Sequence, residues 1–506
     1  MQIEWQVAPR KQWHADAAVF FAFENAEGRL PGLDRFVQEN GAWLGRSAAI
    51  GDFRAKPNDV AVFYAPPGEV LVPRLVLAGL GPADRFETEK LRNAAAYALR
   101  KCRELNVGRA AVPISALEGL PVEAASALRE VLVGSISGLH RFTELKTRDL
   151  DSAQGPQSLV ILSENDPAGD LADVVSLAES EAAGIILARD LTIAPANVVT
   201  PAYMAEAARQ LADRFGFKTE VIDLESARSL GMNAFAAVAR GSHEPAYMVV
   251  IEHAPEGTEN DPPIVFIGKG ITFDTGGISL KPGDKMEAMK QDMAGAAAVL
   301  GLFETMGRSG LKRRVVGILP CTENMPGGQA YKPGDVIRTY SGQTIEIIST
   351  DAEGRVVLCD ALAYAARKFA PAAIVDVATL TGACIVALGR QVAAVMGNHD
   401  GLARSVLEIG EKVGERYWRL PLWDFYFESI KSDVADMKNV GERAAGTIVA
   451  AMFLKQFVPD EIPWVHLDIA GTAWTDKDNG AAPKGATGFG VRTFFELARR
   501  WPELKI

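Results

Sequence analysis

Histidine and cysteine, the residues that most often hold zinc in proteins, are scarce in this sequence. The four cysteines are Cys102, Cys321, Cys359 and Cys384. They lack Cys-x-x-Cys spacing, which predicts a reduced, cytosolic chain rather than a disulfide framework. None of the six histidines belongs to a His-Glu-x-x-His motif, so a zinc protease built on that motif is excluded. Any catalytic metal must therefore be held mostly by carboxylates.

Long apolar runs, a secretory leader and an excess of positive charge are also missing. No stretch approaches the roughly 18 uninterrupted apolar residues of a membrane span, and the amino terminus lacks a charged-then-apolar signal pattern. The net charge of −11 argues against a uniformly basic surface that coats nucleic acid, and leaves a local basic patch open. We therefore expect a cytoplasmic chain with no membrane partner.

Apolar, strand-like runs alternate with helical patterns along the chain, which predicts an α/β fold. With 506 residues, 48% of them hydrophobic, there is material for two to three domains. In the first third we predict strands at 17–23, 59–65, 74–79, 109–114 and 158–163 and a helix at 86–102. The Asp-Pro-Ala-Gly-Asp segment at 166–170 predicts a junction, and a helix should run from about Leu171 to about Leu191.

The remainder of the chain repeats the strand–helix alternation. Strands are predicted at 220–224, 263–268, 313–319, 372–378 and 464–469, and helices near 285–307, 355–369 and 444–457. We therefore predict a smaller N-terminal α/β domain at 1–168, a linker helix at 169–191 and a larger C-terminal domain at 192–506.

The segment Thr-Asp-Ala-Glu-Gly-Arg at 350–355 carries the strongest chemical signal. It follows a β-branched run at 344–349 that is typical of a strand. If the chain stays extended, Asp351, Glu353 and Arg355 point to one face and converge. Two carboxylates on one face repel each other unless a cation lies between them. The segment therefore predicts a metal site, with an arginine able to bind an anion.

Other polar residues follow neighbouring predicted strands. Lys269 and Asp274 come after the strand at 263–268, and Thr379 comes after the strand at 372–378. In an open α/β sheet, ligands bind beyond the carboxyl ends of the strands. We therefore expect these side chains to meet Asp351 and Glu353 at one edge of the sheet.

Asp292 is expected to reach the same place from a helix. A helix beginning near Lys285 would put Asp292 on the apolar stripe formed by Met289, Met293 and Ala296. A buried carboxylate needs a partner, which would be a metal ion or a structural ion pair. The small residues at 294–298 would let this helix approach the sheet closely.

Four carboxylates suit two divalent cations a few ångströms apart, an arrangement used to activate water for hydrolysis. Lys269 either pairs with these acids or, beside two cations, loses its proton and binds a metal. Lys281 is either a surface lysine or a donor to a developing oxyanion. Asp376 and Asp468 lie in apolar strands, where a supporting or structural role is favoured over direct metal binding.

Several long motifs resemble the leucine (cytosol) aminopeptidases, which are hexameric two-metal exopeptidases. The resemblance is dense from about 190 to 495. The matching segments are 268–279, 289–299, 350–355, 378–383, 432–441, 466–474 and 485–492. Three positions depart from the usual family residue, Thr192, Ser349 and Val356, and none of them is a proposed ligand. The resemblance implies an α/β fold with a smaller, macro-like N-terminal domain and a C-terminal catalytic domain around a mixed, mostly parallel central sheet.

Carried onto this sequence, the family pattern implies a metal-ligand set. Asp274 and Glu353 would bridge two Zn²⁺ or Mn²⁺ ions, Lys269 and Asp292 would complete one site, and Asp351 would complete the other.

The same resemblance implies the remaining roles. Lys281 would polarise the scissile carbonyl, and Arg355 would hold a bicarbonate that relays a proton. The pocket for the first side chain of the substrate would be lined by Met289, Thr379, Leu380, Gly382 and Ala470.

The sequence thus predicts a cytoplasmic, homohexameric metallo-aminopeptidase that removes an N-terminal residue, preferably Leu or a similar hydrophobic one, from peptides. A narrower dipeptidase, such as one that cleaves Cys–Gly, would use the same site. An accessory DNA-binding role is an alternative from another class, and the net charge speaks mildly against it. A non-catalytic hexamer fits least well because the ligand set is complete.

Overall fold

The computed structural model describes residues 1–9, 12–24, 34–35, 38, 53–65, 72–148, 155–165 and 169–506. The chain divides into two compact units. The first comprises Met1–Ala183 and Lys477–Lys484, and the second comprises Gly184–Asp476 and Gly485–Ile506. Residues 166–168, on which the predicted junction and the predicted end of the first domain fall, lie outside the described residues.

The first unit is built on a six-stranded sheet. Its strands are β1 (Gln2–Val7), β2 (Ala17–Ala22), β3 (Val60–Tyr64), β4 (Arg74–Gly79), β5 (Arg109–Pro113) and β6 (Ser158–Ser163). Their order is β1-β6-β5-β2-β4-β3, and every pair is parallel except β3 with β4. All six residues of β2 are buried, as expected for a central parallel strand. The five strands predicted in this part are confirmed, and β1 was not predicted.

Two helices of this unit pack tightly against each other. They are α1 (Thr88–Glu104) and α2 (Ala124–Leu139). A Cβ atom on Gly134 of α2 would lie 2.1 Å from the carbonyl oxygen of Arg92 in α1. The close approach therefore depends on a residue without a side chain. The helix predicted at 86–102 is confirmed as α1.

The second unit contains most of the helices and strands. Its strands are β7 (Lys218–Asp223), β8 (Tyr247–His253), β9 (Ile264–Gly268), β10 (Gly270–Asp274), β11 (Val315–Asn324), β12 (Val336–Arg338), β13 (Thr344–Glu346), β14 (Ala373–Ala378), β15 (Val392–Gly397), β16 (Arg416–Arg419), β17 (Met437–Lys438), β18 (Trp464–Asp468), β19 (Trp474–Thr475) and β20 (Gly485–Ala486). The helix α3 (Gly169–Ile193) runs across the division between the two units along the chain. The helices that follow it are α4 (Pro201–Phe215), α5 (Leu224–Leu230), α6 (Asn233–Ala239), α7 (Ala294–Ser309), α8 (Glu353–Phe369), α9 (Gly382–Leu388), α10 (Asp400–Val413), α11 (Gly446–Lys455) and α12 (Val491–Arg499).

The central sheet of the second unit is mixed. The order is β16-β15-β18-β14-β9-β11-β8-β7, and β10 also pairs with β11. The middle strands β18, β14, β9 and β11 are mutually parallel, whereas β15, β8 and β7 join through antiparallel pairs. Parallel strands place their carboxyl ends at one edge, so the middle of the sheet presents one ligand-binding edge.

The predicted strands of this unit are confirmed as β7, β9, β11, β14 and β18. The strands β8, β15 and β16 were not predicted. β15 reads Val-Ala-Ala-Val-Met-Gly, and alanine and glycine give a weak strand signal. The helices predicted near 171–191, 355–369 and 444–457 are confirmed as α3, α8 and α11.

Local sequence signals explain where helices start and stop. In α4, the hydroxyl of Thr200 accepts a hydrogen bond from the Tyr203 amide, Pro201 occupies the first turn, and Gly216 ends the helix in the left-handed region. Each is a favoured residue at its position.

In the described part of the chain, no helix combines the length and apolar character that crossing a membrane requires.

Candidate metal-binding active site

Three residues of the site lie at the carboxyl ends of strands of the central sheet. Lys269 joins β9 to β10, Asp274 ends β10, and Thr379 follows β14. This is the edge at which the sequence places them, and the structure brings the three residues into one cavity.

The segment after β13 differs from the prediction. The strand stops at Glu346, Thr350–Ala352 forms a 3₁₀ turn, and α8 begins at Glu353. The expectation that Asp351, Glu353 and Arg355 share the face of an extended strand is therefore wrong. The hydroxyl of Ser349 accepts a hydrogen bond from the Asp351 amide at 3.2 Å, which favours a helical start.

The carboxylates nevertheless converge. One ligand oxygen from each of Asp274, Asp351 and Glu353 lies within 4.8 Å of the others. Glu353 is the first residue of α8, where the helix dipole favours a negative charge. Turn and helix geometry, rather than alternation along a strand, bring these residues together.

Asp292 also reaches the site by another route than predicted. The segment Met286–Gln291 is a 3₁₀ helix, and α7 begins only at Ala294. Asp292 therefore lies in the break between two helices, and its predicted place on a continuous apolar stripe is wrong. Its carboxylate accepts a hydrogen bond from the Thr379 hydroxyl at 2.7 Å.

The start of α7 lies close against the sheet, as the small residues at 294–298 led us to expect. A Cβ atom on Gly295 would lie 2.2 Å from the carbonyl oxygen of Val377, in β14. A larger residue would push the start of α7 away from the sheet, and Asp292 with it.

Two lysines neutralise the acidic cluster. The ammonium of Lys269 lies 2.7 Å from Oδ2 of Asp292 and 2.8 Å from Oε1 of Glu353. The ammonium of Lys281 lies 2.8 Å from Oδ2 of Asp274 and also contacts Asp351. Each lysine therefore joins two carboxylates.

Burial and mutual repulsion shift the titration of these groups. Burial is the main cause that raises the pKa of Asp292 to about 8 and of Asp274 to about 6, and the charge of Glu353 raises both further. Burial raises the pKa of Glu353 too, but Lys269 and Lys281 outweigh it and the pKa is lowered. Burial lowers the pKa of Lys269, yet its carboxylate neighbours outweigh that effect and raise it. The carboxylates of the cluster are therefore close enough to repel one another, and nearby positive charge is needed to keep them ionised together.

This donor set fits divalent cations. Carboxylate oxygens are the ligands that hard divalent cations take up, and three of them already converge. Asp292 joins the group through Lys269, whose ammonium contacts both Asp292 and Glu353. A cation would do what the two ammonium groups do in this structure, which is to offset the repulsion among the acids.

Arg355 lies buried in α8 beside the cluster. Its Nη1 donates to the carbonyl oxygen of Asn439 at 2.9 Å, and its Nε has no hydrogen-bond partner among the described residues. Burial lowers the pKa of Arg355 to about 10 although Glu353 and Asp468 favour its charge. A buried, charged guanidinium with an unused donor suits an anion.

These residues surround one cavity of about 230 Å³. Every residue that the sequence assigned to the site lines it: Lys269, Asp274, Lys281, Met289, Asp292, Asp351, Glu353, Arg355, Thr379, Leu380, Gly382 and Ala470. The sequence reasoning missed five further lining residues, Gln291, Ala352, Gly354, Thr381 and Ile385. Each lies within three residues of a predicted one, and that proximity was the available signal.

Asp468 and Asp376 form supporting hydrogen bonds. Asp468 accepts from the backbone amides of Leu380 and Ala470, both at 3.2 Å, and thereby shapes the pocket wall. Asp376 accepts from the indole of Trp464 at 2.6 Å. Both contacts agree with the supporting or structural role favoured from sequence.

The comparisons with known proteins agree with this geometry. The model of the cytosol aminopeptidase family, catalytic domain, matches residues 186–495, and the model of the N-terminal domain of the same family matches residues 19–149.

Curated relatives are similar over nearly their whole length. A probable cytosol aminopeptidase of Syntrophobacter fumaroxidans is 60% identical and covers all of both chains. One of Nitratidesulfovibrio vulgaris is 48% identical over 98% of each chain.

Solved structures share the fold. A mutant of tomato leucine aminopeptidase superposes with a TM-score of 0.88 at 33% identity, covering 99% of this chain and 96% of that one. A bottromycin maturation enzyme in complex with Mn has a TM-score of 0.84 at 36% identity, covering 96% of this chain and 99% of that one.

Proposed function

This chain belongs to the cytosol aminopeptidase family and is a metallo-aminopeptidase; from that premise we propose that it removes the N-terminal residue, preferably Leu or a similar hydrophobic one, from peptides in the cytoplasm. The observation that carries the proposal is the single cavity lined by four carboxylates, two lysines and Arg355 beside an apolar wall. The cytoplasmic location is supported by the names of the curated relatives.

Two divalent cations, Zn²⁺ or Mn²⁺, would be held by the acidic cluster. Asp274 and Glu353 would be shared, and Asp351 would complete one site. Asp292 and the amine of Lys269 would complete the other, and Lys269 would have to give up its proton when the cations bind. The convergence of three carboxylates supports this assignment, and manganese is supported by the related bottromycin maturation enzyme, whose structure was solved in complex with Mn. When bound, the cations would lower the pKa of a water molecule and polarise the peptide carbonyl.

The protein's own basic groups would act on the substrate. Lys281 lines the cavity, where its ammonium would donate to the carbonyl oxygen as negative charge develops there. Arg355 would hold bicarbonate, because its buried Nε lacks a partner among the described residues.

The pocket wall would select the first side chain. Met289 and Leu380 offer apolar surface, and Gly382 and Ala470 leave room beside Thr379. A wall of this kind favours an aliphatic side chain through burial of apolar area.

The assembly and domain limits are part of the proposal. We assign residues 1–168 to an N-terminal domain, 169–191 to a linker helix and 192–506 to the catalytic domain, in a homohexamer like that of the family the sequence resembles.

The test is removal of the shared carboxylates. Glu353→Gln and Asp274→Asn should lower the hydrolysis of a leucyl amide by at least about 10²-fold with Zn²⁺ or Mn²⁺ added, because a bound cation supplies several kcal/mol of transition-state stabilisation. Glu411→Gln, at an exposed position of α10, should leave hydrolysis unchanged. Near-normal turnover by the purified, folded Glu353→Gln and Asp274→Asn proteins would contradict the proposed metallo-aminopeptidase mechanism.

The anion site has a separate test. Arg355→Lys keeps the charge and loses the planar fork, so we expect bicarbonate to stimulate the wild-type protein and not this variant. Equal stimulation of both would contradict the bicarbonate role.

A substrate panel decides between the two peptidase functions. A general aminopeptidase should cleave leucyl peptides of several lengths, whereas a narrow dipeptidase should cleave Cys–Gly and leave longer peptides intact.

A further inference from the structure

The side chain of Asn324 contacts both carboxylates that we propose to be shared by two metal ions. Its amide nitrogen lies 2.8 Å from Oδ1 of Asp274 and 3.4 Å from Oε2 of Glu353. Asn324 is fully buried and is not among the described residues that line the cavity. Asn324 therefore contacts the acidic cluster from the buried side, opposite the cavity.

Strand pairing fixes this position. β10 pairs in parallel with β11, and the register puts Asn324 opposite Asp274. The carbonyl oxygen of Asn324 accepts hydrogen bonds from the backbone amide of Thr275 at 3.0 Å and from its hydroxyl at 2.8 Å. The backbone on both sides of the contact is thus held in place.

The orientation of the amide is also determined. Besides the two carboxylates, the nitrogen donates to the carbonyl oxygen of Thr350 at 3.0 Å. All three neighbours are acceptors, so only the NH₂ group can occupy this point. The opposite atom, Oδ1, finds no donor among the described residues. Reversal of the amide would put an oxygen against three oxygens.

One donor shared by two acids has a clear consequence. It reduces their repulsion and restrains one oxygen of each. The opposite oxygens, Oδ2 of Asp274 and Oε1 of Glu353, contact Lys281 and Lys269, each at 2.8 Å. These are the oxygens on the side of the charged groups that line the cavity.

We propose that Asn324 is a positioning residue of the metal centre, which holds Asp274 and Glu353 so that their cavity-side oxygens are ready to bind cations. The inference rests on the proposed two-metal function. Supporting residues of metal ligands typically change metal affinity by about 10–100-fold when they are replaced.

The test measures Mn²⁺ binding itself. Asn324→Leu has a similar volume and no donor, and free Mn²⁺ in a titration is counted by its electron paramagnetic resonance signal. We expect Mn²⁺ to bind the variant at least about tenfold more weakly than the wild-type protein.

The matched control is Tyr331→Phe. The Tyr331 hydroxyl donates to the same Thr350 carbonyl oxygen at 3.0 Å, so its loss weakens the turn without removing a donor to the carboxylates. We expect Mn²⁺ affinity within about twofold of wild type. An equal loss in Tyr331→Phe and Asn324→Leu would overturn the inference, because the turn would then be the cause.

The remaining outcomes separate the two proposals. If the wild-type protein binds no Mn²⁺, the two-metal function fails. If the wild type binds Mn²⁺ and Asn324→Leu binds it equally well, only the role of Asn324 fails. Asn324→Ala is measured in parallel with Asn324→Leu. If both of these variants are unfolded even under saturating Mn²⁺, the inference is overturned, because the Asn324 amide would then be required for folding.

Discussion

The ammonium of Lys281 lies 2.8 Å from the Oδ2 oxygen of Asp274. The same ammonium contacts Asp351 at the exposed side of the cluster. Burial lowers the pKa of Lys281, but the charges of Asp274, Glu353 and Asp351 outweigh it, and the pKa is raised. The side chain therefore keeps its proton at neutral pH and can serve as a donor, and not as a base.

Replacing Lys281 should separate turnover from metal binding. For Lys281→Met we expect kcat on a leucyl amide to fall by about 10²–10³-fold, as when one oxyanion donor is removed. Mn²⁺ affinity should not fall, because Asp274 and Asp351 lose a competing cation. Steady-state kinetics and Mn²⁺ titration measure the two effects.

Lys218→Met, at an exposed position of β7, is the control and should change neither quantity. A Lys281→Met protein with near-normal kcat, or with weaker Mn²⁺ binding, would contradict the assigned role.

Residue spacing predicts some parts of the site and not others. The edge of the sheet was predictable, because Lys269, Asp274 and Thr379 directly follow buried strands. The conformation of 350–355 was not, since the Ser349 cap and the 3₁₀ turn override the β-branched run before them. Long-range partners such as Asn324 also escaped prediction. Its strand was predicted to end at 319, and its contact with Asp274 depends on strand register, which a single sequence does not reveal.

Gly354 allows Lys269 to reach the acids. A Cβ atom at this position would lie 2.6 Å from Cε and 2.8 Å from Nζ of Lys269. Because the ammonium contacts Asp292 and Glu353, the side chain cannot move aside without loosening those contacts.

For Gly354→Ala we therefore expect at least a tenfold loss of activity without a loss of stability. Alanine in place of glycine stabilises a helix interior by about 1 kcal/mol, which should offset the crowding against Lys269. Activity and thermal unfolding are measured together, with Gly328→Ala as the control because nothing lies within 4 Å of its added Cβ. Full activity in Gly354→Ala would show that Lys269 has another position open to it.

The cysteines should be unreactive in the folded protein. All four are free and buried, and burial raises the pKa of Cys102 and Cys384 to about 12. The thiolate is the reactive form, so we expect a thiol reagent to modify fewer than one cysteine per chain at pH 8. The same reagent should modify all four after unfolding in guanidinium chloride. Rapid modification of the native protein would contradict this burial.

Asp360 should make stability depend on pH. It is fully buried in α8, where its carboxylate accepts hydrogen bonds from the backbone amides of Phe235 at 2.9 Å and Tyr340 at 2.8 Å. Burial raises the pKa of Asp360 to about 7, despite these hydrogen bonds. Between about pH 4 and pH 7 the folded state then holds a proton that the unfolded state has lost. The contribution to the free energy of unfolding is present at low pH and is lost as the pH rises through about 7.

Asp360→Asn removes this titration, so comparison with the wild type measures how much Asp360 contributes to the free energy of unfolding at each pH. The amide offers one acceptor where the carboxyl group offers two, so at pH 5 we expect the variant to be less stable than wild type by about 1–3 kcal/mol. As the pH rises the wild type loses its advantage, and the gap should narrow by up to about 1.4 kcal/mol per pH unit toward pH 7. Urea unfolding at pH 5, 6, 7 and 8 in the presence of a chelator measures the gap. Asp213→Asn, on the exposed side of α4, controls for the loss of a charge, and a gap for Asp360→Asn that stays constant across this range would show that Asp360 is ionised in the folded protein throughout.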